Sequence, residues 1–239
     1  MKYPIVILHG WGLSEKRFAP LTTALQKSGY QVHSFDFPGF GESLIPKDPM
    51  TLVDYTAFLA DYLSKHKIQK PILLGHSFGG RVALKFQEVY PGRTKALVLT
   101  GTPGFTPTPR RRLMFFIALA KVGKFIFSLP GISYIQDSVR RWYYYLVGAR
   151  EFYRAEGSMR ATFKNIVAEP LEKPMKAVRV PTLLVWGALD QITPVWIAKK
   201  MHEVIVGSQL IIIPEANHGV PYREPALFIK TIRPFIDAV

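Results

Sequence analysis

Gly75-His76-Ser77-Phe78-Gly79 sets a serine between two glycines in a G-x-S-x-G pattern, and the chemistry open to such a serine is nucleophilic attack on an acyl carbonyl. The apolar run Pro71-Leu74 precedes the motif and a helix-length stretch follows it. Ser77 therefore stands on a sharp strand-turn-helix junction where larger neighbours would collide, and Gly80 eases close packing of the helix. A serine hydroxyl is a poor nucleophile at neutral pH, so it needs a base within hydrogen-bond reach and a third group holding that base in the right tautomer. Six histidines compete for the role of base. His218, in Pro214-Glu215-Ala216-Asn217-His218-Gly219, follows the last apolar run and so lies on a loop at the same sheet edge as Ser77. His9 sits in the loop after the first run, His33 begins a strand, and His66 and His202 fall on helices. His76, next to the serine, is expected to point away from it. These five read as structural or solvated.

The elements that must hold these groups alternate through the first hundred residues, short apolar runs with helix-length amphipathic stretches, which is the signature of βαβ units winding a parallel sheet. Strands are predicted at Ile5-Leu8, Gln31-Phe35, Pro71-Leu74, Ala96-Thr100, Thr182-Trp186 and Leu210-Ile213. Each run is near-continuously apolar, as expected for strands covered by helices on both faces. Helices are predicted near Phe18-Lys27, Leu52-Lys67, Arg81-Val89, Pro194-Glu203 and Glu224-Ile236, with Thr51 and Thr193 as N-caps. The alternation breaks between Thr106 and Ala177, a segment rich in Arg, Phe and Tyr. It reads as a helical cap inserted into the core, occupying 106–176, with 1–105 and 177–239 forming the core. Leu113-Leu129 and Val139-Ala155 have helical lengths, and Pro130-Gly131 marks the turn between them.

The chain has 239 residues, 48% hydrophobic and 20% charged, which suits one folded unit and excludes a disordered or fibrous chain. It has no cysteine, which removes disulfides, thiolate metal sites and a cysteine nucleophile. With that absence, and an apolar run at Ile5-Leu8 too short for a secretory signal, the expected location is cytoplasmic. Lysine and arginine number 31 against 17 acidic residues, a formal charge of +14. No zinc-finger spacing, basic heptad region or RNA-stacking signature accompanies that charge, so nucleic acid is not the expected partner. The histidines lack metal-ligand spacing, and neither a metal nor a cofactor is expected.

Around Ser77 the chain resembles the α/β-hydrolase superfamily. His9-Gly10-Trp11-Gly12 follows the first strand as that family's oxyanion loop does, and Asp36-Phe37-Pro38-Gly39-Phe40-Gly41-Glu42-Ser43 matches the loop after the next strand. The family's N-terminal antiparallel hairpin is missing. The resemblance implies a doubly wound, mostly parallel sheet of six strands in the spatial order 2-1-3-4-5-6, with the helical cap over its carboxyl edge. It also implies an acid between the serine and histidine at a strand's carboxyl end, and Asp190, in Trp186-Gly187-Ala188-Leu189-Asp190, fills that place. The alternative position after the fourth strand, Thr100-Gly101-Thr102-Pro103-Gly104, holds no carboxylate. The oxyanion hole is expected from the backbone N–H groups of Trp11 and Phe78. Trp11 is expected either to line the acyl pocket or to pack, and Asp36 and Ser43 to stabilise their loop.

The implied activity is a cofactor-free hydrolysis of carboxylic esters with short to medium acyl chains. The same groups also suit thioesters, carrier-protein methyl esters or a C–C bond, and a non-catalytic binding protein is the remaining alternative. His9-Gly10-Trp11-Gly12-Leu13 looks like the loop of the pimeloyl carrier-protein methyl esterases. Arg110-Arg111-Arg112, Arg140-Arg141 and Tyr143-Tyr144-Tyr145 give the cap a basic, aromatic character suited to an acidic carrier protein or an anionic membrane surface.

Overall fold

A computed structural model describes residues 3–105 and 157–239. Six strands, β1 Ile5–Leu8, β2 Val32–Ser34, β3 Ile72–His76, β4 Ala96–Thr100, β5 Thr182–Gly187 and β6 Gln209–Ile213, form one sheet in the order β2-β1-β3-β4-β5-β6. Every pairing is parallel. The order is the one expected for the α/β-hydrolase fold, and among the described residues no hairpin precedes β1.

Side chains alternate between the faces, and both faces are dry in the centre of the sheet. Val6, Leu8, Leu73 and Leu99 join one buried cluster with α2 Leu52–Lys65, α3 Phe78–Val89 and α6 Val195–Val204. Ile5, Ile7, Leu74 and Val98 join the other, beneath α1 Glu15–Lys27 and α8 Pro225–Ala238. Burial of one such side chain is worth about 1.5–3 kcal/mol, which is why the central strands read as unbroken apolar runs. The outer strands differ from that expectation. β6 is buried fully only at Ile213, and β2 only at Val32, because an edge strand has one neighbour and its helices cover it incompletely.

Between β4 and β5 the described chain contains α4 Gly157–Ala168 and α5 Glu172–Ala177, and a short α7 Val220–Arg223 precedes α8. None of these three was marked by the sequence pattern. The helices predicted over 113–129 and 139–155, and the basic and aromatic cluster at 110–145, lie outside the described residues. Thr51 caps α2 as expected, in a capping box with Asp54. Thr193 does not cap α6: Pro194 takes the N-cap position and the Thr193 hydroxyl is spent elsewhere. Among the described residues no helix is long and apolar enough to cross a membrane.

Candidate active site

Ser77 closes β3 and opens α3 with φ 50° and ψ −112°, a conformation that costs a non-glycine residue about 1–3 kcal/mol and persists only where its surroundings dictate it. They do so by crowding. A Cβ on Gly79 would stand 2.0 Å from the Leu8 carbonyl oxygen, and one on Gly80 1.9 Å from Thr102 Oγ1. The first turn of α3 is thus pressed against β1 and the end of β4 with no room for a side chain. The Ser77 N–H continues the sheet by donating to the Thr100 carbonyl at 2.9 Å. Ser77 holds the N-cap position of α3, yet its hydroxyl makes no capping bond and remains available for chemistry. The positive end of the helix dipole is directed at this position.

His218 lies on the loop after β6, its Nδ1 2.8 Å from Asp190 Oδ2. The Asp190 side chain is buried, and its carboxylate is fully engaged. Oδ1 accepts the N–H groups of Ile192 at 2.9 Å and Thr193 at 2.8 Å, and Oδ2 accepts the Thr193 hydroxyl at 2.7 Å as well as His218. Backbone bonds from Ala188 to Ile213 and from Leu189 to Ala216, both 2.9 Å, zip the two loops together. The structure therefore brings together the two residues expected as acid and base, Asp190 and His218. Among the described residues both polar contacts of His218 fall on Nδ1, from Asp190 and from Thr193 Oγ1 at 3.2 Å. Nε2 is left unengaged.

Gly101 links this pair to the elbow. It follows Thr100, the acceptor for Ser77, and a Cβ on it would come within 2.7 Å of His218 Cε1. With φ 57° the position also suits glycine best. The sequence showed only that no carboxylate stood here. What it hid is that the space is needed by the imidazole.

His76 is less remote than expected. Its ring lies 4.8 Å from that of His218, with Phe18 and Tyr222 on its other sides. Complete burial, followed by the charge of neighbouring His218, lowers its pKa well below the ordinary histidine value, so it stands as a neutral ring against His218. His9 is also buried, and burial lowers its pKa too. Its Nε2 accepts the Phe37 N–H at 3.0 Å and its Nδ1 donates to the Gly10 carbonyl at 2.8 Å, which ties the loop after β1 to the loop after β2. His202 and His66 sit on or at the ends of helices, and His33 on the edge strand.

Trp11 is buried among rings, edge-on to Phe40 at 4.8 Å, Phe163 at 4.9 Å and Phe78 at 5.6 Å. Of the two alternatives for Trp11, the ring contacts bear out packing. Asp36 accepts the N–H groups of Glu15 and Glu42, the expected loop-holding role. Arg81, unmarked by sequence, is buried on α3 and donates to the carbonyls of Pro103, Ile166 and Glu169, securing the end of α4 and the loop after β4. Burial pulls its pKa down to about 10.

A model of the alpha/beta hydrolase family matches residues 5–231. An AB hydrolase superfamily protein of Bacillus subtilis, YisY, is 28% identical over 98% of this chain and 92% of its own length. A pimeloyl-[acyl-carrier protein] methyl ester esterase of Wigglesworthia glossinidia brevipalpis is 27% identical over 97% of this chain and 93% of its own. Among solved structures, an esterase from Exiguobacterium antarcticum superposes with a TM-score of 0.75 at 24% identity, covering 98% of this chain and 92% of that one.

Proposed function

This chain belongs to the alpha/beta hydrolase family, and from that premise we propose that it is a carboxylesterase-type serine hydrolase acting on esters with short to medium acyl chains. The observation that carries the proposal is the Asp190–His218 pair, 2.8 Å apart, with the imidazole lying over Gly101, together with a serine whose strained backbone leaves its hydroxyl uncapped. Ser77 Oγ attacks the ester carbonyl while His218 Nε2 takes its proton. Asp190 keeps the proton on Nδ1 and stabilises the imidazolium that forms. The oxyanion of the tetrahedral intermediate is held by the N–H groups of Phe78, at the first position of α3, and Trp11, a contribution of about 100-fold or more in rate. His218 returns its proton to the departing alkoxide, and water then cleaves the acyl-enzyme by the same route.

Residues 106–176 act in this proposal as a cap on the core of 1–105 and 177–239, because they enter and leave between β4 and β5, adjacent strands whose carboxyl ends carry Gly101 and Asp190. Ser77→Ala should abolish hydrolysis of p-nitrophenyl butyrate and labelling by a fluorophosphonate probe. Retention of both activities by that variant would remove the proposal.

A second reading, methyl esters carried on an acidic acyl carrier protein, is favoured by the Wigglesworthia relative and by the +14 charge. A panel comparing p-nitrophenyl esters of rising chain length, an acyl thioester, a vinylogous diketone and a carrier-bound methyl ester separates the readings by their kcat/KM.

A further inference from the structure

We propose that Thr193 is a positioning residue for His218, its hydroxyl acting with Asp190 to fix the imidazole in the tautomer that leaves Nε2 free to accept a proton. The assignment rests on the serine chemistry proposed above. Thr193 is buried, and it is the first residue after the Asp190 turn whose side chain returns to the carboxylate. A hydroxyl has one proton, and here the 2.7 Å contact with Asp190 Oδ2 takes it, because an ionised carboxylate can only accept. The lone pairs of Oγ1 then face His218 Nδ1 at 3.2 Å. Nδ1 is thus confronted by two acceptors, Oδ2 and Oγ1, and is held as N–H. A proton moved to Nε2 would leave three lone pairs opposed around Nδ1. The two backbone N–H bonds to Oδ1 keep the carboxylate from rotating out of this arrangement.

The titratable groups around His218 are Asp190, on the β5 loop, and His76, at the end of β3, with the Tyr222 ring behind His76. None of them supplies a second acceptor to Nδ1.

Thr193→Val keeps the branched shape and deletes the hydroxyl. With p-nitrophenyl butyrate it should lower kcat about tenfold, the rate equivalent of one hydrogen bond, with KM unchanged within twofold. The acid limb of the kcat/KM profile should move toward higher pH, because Asp190 loses a close donor and its charge is shared less. Nitrogen NMR of the imidazole should show the Nδ1–H tautomer in the parent and a mixture in the variant, and Thr193→Ser should restore the parent behaviour. Where valine prevents folding, Thr193→Ala should show the same shift. A folded variant lacking the hydroxyl with kcat within twofold and an unmoved acid limb would overturn the assignment, as would equal losses in valine and serine variants. Ser77→Ala in the same assay distinguishes the failures. If that variant is inactive while the hydroxyl-free one is unimpaired, only the role of Thr193 falls; if it stays active, the serine reading falls and takes this one with it.

Discussion

The two halves of the proposed catalytic group are held by different physics. Ser77 is placed by exclusion: Gly79 and Gly80 leave no space, and the backbone of Leu8 and the side chain of Thr102 define where the turn can go. Asp190 and His218 are placed by attraction, through four hydrogen bonds on one carboxylate and a zipper of backbone bonds between two loops. Crowding tolerates no added atom, whereas a hydrogen-bonded pair tolerates a substitution of the same shape and loses only its chemistry. Damage to the elbow should therefore register as lost stability, and damage to the acid–base pair as lost rate.

Asp190→Asn tests the attracted half. It preserves shape but admits the wrong tautomer, and activity should fall about 10³–10⁴-fold while the melting temperature moves by only a few degrees. Gly79→Ala tests the crowded half. Its methyl group would meet a backbone oxygen that cannot swing aside, and chemical denaturation should show a loss of about 3 kcal/mol or more, the range of severe core overpacking. Gly101→Ala lies between the halves, since the atom it would displace belongs to a side chain. It should cut kcat by about 10–100-fold with a smaller loss of stability than Gly79→Ala, and an opposite ranking would dissolve the distinction.

The smallest effect is graded by pH. His9 and His76 are buried with lowered pKa values, so on acidification the unfolded chain takes up protons that the folded one refuses. The stability they permit is complete above the ordinary histidine pKa near 6.5 and declines below it, by at most about 1.4 kcal/mol per pH unit for each ring. Melting curves between pH 5 and 8 should show that decline, and His76→Asn should reduce its slope.

Crowding also explains what could be read in advance. Glycines write steric demands into the sequence, so the elbow was legible, as were the central strands with their unbroken apolar runs. His218 and Asp190 were reachable because each follows a strand whose position in the order was known. Less legible was whatever depends on contacts between distant segments. Thr193 looked like a helix cap because it precedes Pro194, and only the fold reveals that its hydroxyl points to Asp190. α3 was expected near Arg81–Val89, yet it starts on Phe78, because Gly79 and Gly80, poor helix formers in isolation, allow its first turn the close approach to Leu8 and Thr102. The importance of Gly101 depends on an imidazole 117 positions away in sequence.

Arg81 stands one helical turn beyond Ser77, about 6 Å along α3. At that distance it grips the backbone at Pro103, after β4, and at Ile166 and Glu169, at the end of α4. Both segments are thus measured off on the same rod that begins at Ser77. One buried guanidinium therefore ties two segments more than sixty residues apart in sequence to the helix that begins at the elbow.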